Sequence, residues 1–67
     1  MTIRELIYAN DNWDMRNTFI SIYQGNSNKR IHMARAWELY DSDYWGNMKV
    51  SRFMNNSIRI VQEVNND

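Results

Sequence analysis

His32 is the single histidine of the chain, and it is where a search for chemistry begins. A Cys-His nucleophile pair is excluded outright, because the chain has no cysteine. A Ser-His system needs a recognisable arrangement of partners, and none is visible. His32 stands between Ile31 and Met33 in a stretch that reads as a strand. An imidazole there serves as a surface or cross-strand hydrogen-bonding group rather than a general base. No catalytic residue is assigned, and the chain reads as non-enzymatic.

The run "DSDYWGN" invites comparison with the calcium loop D-x-[DN]-x-[DN]-G-x5-E. Asp41, Asp43 and Gly46 fall on its first, third and sixth positions. Its fifth position is Trp45 and its twelfth is Arg52, where the ion needs an oxygen ligand and a bidentate glutamate. The match fails at two ligands, so the run reads as a helix-ending loop in which Gly46 can take a positive φ. Asp11 and Asp14 read as solvated loop acids. Neither a metal nor a cofactor is expected.

With hydrolytic and metal chemistry set aside, aromatic and basic side chains remain. Residues 37–53 hold Trp37, Tyr40, Tyr44, Trp45 and Phe53, more than half of the nine aromatics. Trp37 and Tyr40 share a helical spacing with Met33, Ala36 and Tyr44 and read as a buried stripe. Trp13 and Trp45 sit beside acids in loops, where each either plugs an end of the core or stands exposed as an anchor for a partner.

The elements that must position these groups follow from local signals. Thr2 with Glu5 forms a capping-box pattern, and Ile3, Leu6 and Ile7 share one face of a helix ending near Ala9 or Asn10. "TFISIYQ" at 18–24 is β-branched and aromatic and reads as a strand, with "GNSN" at 25–28 as its turn. A four-residue loop sets Ile22 opposite Ile31 and Ile20 opposite Met33, which places those four apolar residues on one face. A second helix is expected from about Ala34 to Asp41. "MKVSRFMNNSIRIVQEV" reads as a second hairpin around Asn55 and Asn56. A two-residue loop there pairs Phe53 with Ile58 and Arg52 with Arg59. A three-residue loop pairs Val50 with Ile60 and moves Phe53 to the far face with Lys49.

The expected fold is therefore α+β, in the order α-β-β-α-β-β, with a four-stranded antiparallel sheet covered by helices on one face. At 67 residues it is one domain, spanning 1–67, near the lower size limit for folding without disulfides or metals. No leader or membrane-length apolar run is present, so a cytosolic protein is expected.

Function is expected on the open sheet face. Phe19, Tyr23, Arg30, His32 and Arg59 fall there, joined by Lys49 and Phe53, or by Arg52, according to register. Aromatics mixed with bases suit a protein-binding hot spot, a single-stranded nucleic-acid platform or a homodimer seam. Eight bases balance eight acids, so no large positive field gathers phosphates, and a protein partner is favoured over nucleic acid.

"TIRELI", "FISIYQG", "AWELYD" and "MKVSRFMNNSIRI", in that order, resemble the layout of small prophage and mobile-element proteins of low-GC Gram-positive bacteria, a group that includes type II anti-CRISPR proteins. The likeness spans nearly the whole chain in size, composition and element order. It implies a phage-encoded stoichiometric inhibitor that acts in the host cytosol by binding a defence nuclease such as Cas9. The neutral charge departs from the strongly acidic, DNA-mimicking members. No family residue role transfers to this chain.

Overall fold

The computed structural model describes residues 1–10 and 12–61; Asp11 lies outside them. The chain folds as α+β in the order α1 (Ile3–Ala9), β1 (Phe19–Gln24), β2 (Arg30–Arg35), α2 (Ala36–Asp41), α3 (Asp43–Gly46), β3 (Val50–Met54) and β4 (Ser57–Ile60). The capping box forms as expected. Thr2 Oγ1 accepts from the Glu5 N–H at 3.2 Å, and Glu5 Oε1 accepts from the Thr2 N–H at 2.9 Å.

The four strands lie in the order β2-β1-β4-β3. Both hairpins are antiparallel, but β1 and β4 run parallel, so the sheet is mixed rather than antiparallel throughout. The reason lies between the hairpins. A parallel pair needs a crossover, and here α2 and α3 carry the chain back across one sheet face so that β3 starts in the direction of β2. The core is buried between that helix layer and the sheet: Ile3, Leu6, Ile7, Ala36 and Leu39 meet Ile20, Ile22, Ile58 and Ile60.

Each hairpin carries one irregularity on its edge strand, and these decide the faces. In the first hairpin Tyr23 pairs with Arg30, as a four-residue loop requires, but a bulge at Ile31 then sets Ile22 opposite His32 and Ile20 opposite Ala34. Ile31 and Met33 are therefore exposed rather than core, and His32 turns to the helix side. The imidazole is accommodated there because it lies flat on the Trp45 indole, with centroids 4.4 Å apart and planes 4° apart. In the second hairpin Asn55, in the left-handed region at φ 49°, closes a two-residue loop. Phe53 opposes Ile58 and Arg52 opposes Arg59, yet a bulge at Ser51 also sets Val50 opposite Ile60. Both alternative pairings are present at once.

The expected helical stripe is shifted. α2 begins at Ala36, because Arg35 still pairs with Phe19. The first helical N–H groups, of Ala36 and Trp37, donate to the carbonyls of Thr18 and Met15. Burial then follows Ala36 and Leu39, with Tyr40 half-buried, while Trp37 is 44% exposed and Tyr44 is exposed. The run after α2 is not a plain loop. Ser42 Oγ accepts from the Trp45 N–H at 3.0 Å and caps the short α3.

Candidate functional site

Strand register arranges the open face into transverse rows. Arg30, Tyr23, Arg59 and Arg52 are successive partners across β2, β1, β4 and β3. They form one row of three guanidinium groups and a phenol, roughly 14 Å long at about 4.8 Å between strands. The next row is Met33, Ser21, Ser57 and Met54, and beyond it Arg35 faces Phe19. Two small serines thus floor a shallow trough, bounded along the strands by aromatics and at its sides by methionines.

Both aromatics of this face are covered by arginine. The Arg35 guanidinium lies 5.1 Å from the Phe19 ring centroid, and that of Arg59 lies 5.2 Å from Tyr23. Arg59 is held further by its Nη1, which donates to the carbonyls of Gly25 at 3.0 Å and Ser27 at 2.8 Å. Arg30 Nη1 rests 3.3 Å from Met33 Sδ. A cleft of ≈ 360 Å³ opens beside the row, lined by Tyr23, Asn28, Arg52, Met54, Ser57 and Arg59 together with Phe53 and Asn55.

The charges are segregated. None of the four strands contains Asp or Glu. The described acids, Glu5, Asp14, Glu38, Asp41 and Asp43, lie on the helices and the first loop. Among the described residues, the four strand arginines, Arg30, Arg35, Arg52 and Arg59, thus share one sheet face, and the five acids form a layer off the sheet. That layer includes carboxylates with structural duties. Glu5 is held below the ordinary glutamate value, first by the Thr2 backbone N–H and then by the Thr2 hydroxyl. Asp14 is lowered by the Arg16 backbone N–H and the Asn17 side-chain amide. Arg4, the one strong base of α1, spans the helix layer: its Nε donates to Tyr40 O at 2.8 Å, Nη2 to Ser42 O at 3.0 Å and Nη1 to Asn47 Oδ1 at 2.8 Å.

Of the residues singled out from sequence, Tyr23, Arg30 and Arg59 come together in the row, and Phe19 lies on the same face. Five others lie elsewhere. His32 and Phe53 form the two ends of a helix-side row, His32–Ile22–Ile58–Phe53, and each end is closed by a tryptophan. Trp45 stacks on His32, while Trp13 meets Phe53 edge-on at 6.0 Å and 76°. Trp13 is 7% exposed, and its Nε1–H donates to Asn55 O at 3.1 Å, so it plugs the core beneath the second turn. Trp45 is half-buried against the same cluster. Lys49 is exposed before β3, bridged to Thr2 through the backbone, away from the arginine row. Phe53, at 49% exposure, is both packed and wet.

Sequence reasoning passed over Arg35, Ile31, Met33 and Met54, all exposed on the face. The first could have been found from the complete absence of acids in the strand segments, but the other three needed the bulge and the loop length. Among the described residues, no three His, Asp or Glu side chains gather as metal ligands, and no helix is long and apolar enough to cross a membrane. Comparison with known proteins finds no matching family model, no matching curated protein and no matching solved structure.

Proposed function

We propose that this chain is a non-enzymatic binding module whose open sheet face docks an acidic surface of a protein partner. The observation that carries the reading is the composition of that face: arginine, methionine, isoleucine and aromatic side chains, with no carboxylate on any strand. Protein interfaces are enriched in arginine, methionine and aromatics and poor in lysine, and this face follows that pattern. A symmetric homodimer through the same face would set arginine rows against each other, which favours a different chain as the occupant. If the chain is a phage-encoded inhibitor of a host nuclease, such a face would meet an acidic region of that nuclease and not its basic nucleic-acid groove.

Charge segregation also supports a second reading, a single-stranded nucleic-acid platform. It is the weaker one, because base stacking needs open ring faces and both Phe19 and Tyr23 lie under guanidinium groups. The two are separated by Arg30→Glu combined with Arg52→Glu, two exposed positions at the ends of the row. Capture from a host lysate is followed by binding of the purified candidate partner to each form. The expected result is a partner bound by the wild type and lost by the folded variant. Equal binding by the variant sinks the protein reading. Oligothymidine binding whose affinity falls steeply with salt would instead establish the nucleic-acid reading.

A further inference from the structure

The cleft beside the arginine row holds a feature that the fold alone leaves unexplained. Arg52 and Arg59 are direct cross-strand partners, a like-charged pair that a sheet penalises. Arg59 has a partial remedy in the Gly25 and Ser27 carbonyls and the Tyr23 ring. Those contacts immobilise its head group through Nη1 and leave its other N–H donors without a protein acceptor among the described residues. Arg52 is exposed and has no side-chain hydrogen bond among the described residues. The cleft they share has a volume of ≈ 360 Å³, which falls in the range of ligand pockets, and Met54 and Phe53 add apolar lining.

We propose that this cleft is a carboxylate site, which takes a Glu or Asp side chain from an acidic peptide segment of the partner. It rests on the reading of the face as protein-binding and names the chemistry at its anchor. The carboxylate accepts from the Arg52 fork and from the free edge of Arg59, which removes the repulsion between them. Asn28 and Ser57 supply further polar lining, and an apolar neighbour of the acid lies against Met54 and Phe53. A carboxylate is favoured over a nucleic-acid phosphate by that apolar lining and by the covered ring faces of Tyr23 and Phe19.

The test uses the full chain labelled with nitrogen-15 and followed by amide chemical shifts. The probes are the tetrapeptide acetyl-Glu-Leu-Glu-Phe-amide, its Gln counterpart, inorganic phosphate and a short oligothymidine. The Glu peptide is expected to give saturable shifts at Asn28, Met54, Ser57 and Arg59, the Gln peptide none. Arg52→Gln is expected to weaken Glu-peptide binding by about tenfold or more, the loss of one charge-assisted hydrogen bond. Shifts that are absent from the cleft, equal for the Gln peptide, or stronger with phosphate or oligothymidine overturn the proposal. The wider reading fails separately. If Arg30→Glu abolishes binding of the purified partner while Arg52→Gln leaves both partner and peptide bound, the cleft falls and the protein-binding face stands.

Discussion

Arg4 reaches the end of α2 only across Gly46: a side-chain carbon built on Gly46 would stand 2.7 Å from Arg4 Nη2 and 2.9 Å from the Leu39 carbonyl oxygen. The glycine serves for close approach, not for the positive φ expected at a reversal, since Gly25 is the glycine in the left-handed region, at φ 56°. Arg4 in turn satisfies the Tyr40 and Ser42 carbonyls where α2 ends and α3 begins. Gly46→Ala is therefore expected to destabilise by about 1–3 kcal/mol, the range for overpacking. A thermal melt unchanged from wild type would contradict it.

Trp13 and Trp45 close opposite ends of one core row, but to different depths. Trp13→Ala should cost about 3–5 kcal/mol, comparable to the whole stability of a small domain, and leave little cooperative unfolding. Trp45→Ala, at a half-buried site, should cost less and keep a sigmoidal urea transition. Equal effects of the two substitutions would contradict the assigned depths.

Asn55 adopts φ 49° without being glycine. Asparagine tolerates that region, glycine is free in it and a β-branched residue is strained there. Asn55→Gly is expected to be neutral or mildly stabilising, and Asn55→Val to cost about 1–2 kcal/mol. Urea midpoints for the pair of variants check the order, which should not invert.

The folded-state values of Glu5 and Asp14 lie below their ordinary values of 4.5 and 3.8. A lowered folded value means that each ionised carboxylate stabilises the fold above its ordinary value, and that this contribution disappears as pH falls through the lowered one. Stability should therefore drop on acidification below about 4.5 and further below 3.8. Glu5→Gln should flatten the first part of that decline in urea titrations. An acid slope identical to wild type would show that the capping box is not its source.

Ser51 is the extra residue of β3, and its removal leaves Val50, Arg52 and Phe53 facing their present partners in an unbroken ladder. Bulges on edge strands discourage edge-to-edge pairing. Deletion of Ser51 is thus expected to preserve the fold while promoting concentration-dependent association in sedimentation velocity. A monomer at every concentration would remove that role from the bulge.

Much of this was legible in the residues themselves. Thr2 and Glu5 marked the start of α1, the β-branched runs marked the strands, and the isoleucines of β1 and β4 marked the core. The misplacements came from single-residue events that leave no local trace. Neither bulge sits at a glycine, so nothing near Ile31 announced that His32 and Met33 would exchange faces. The start of α2 was set by carbonyls of Thr18 and Met15, which are distant in sequence from the stripe they shifted. The arginine row depended on register across all four strands, and a balanced total charge hid it.

The parallel seam between β1 and β4 also dictates when the chain can fold. Each hairpin is local and can form within microseconds, but alone each is at best marginally stable. The seam joins Ser21 to Ser57 and Gln24 to Ile60, contacts of high sequence separation that must await both hairpins and the intervening helices. Until they meet, the two strands destined for the middle of the sheet are bare edges, and Ile20, Ile22, Ile58 and Ile60 lie open. The slow step of folding and the interval of greatest exposure to aggregation are therefore the same event.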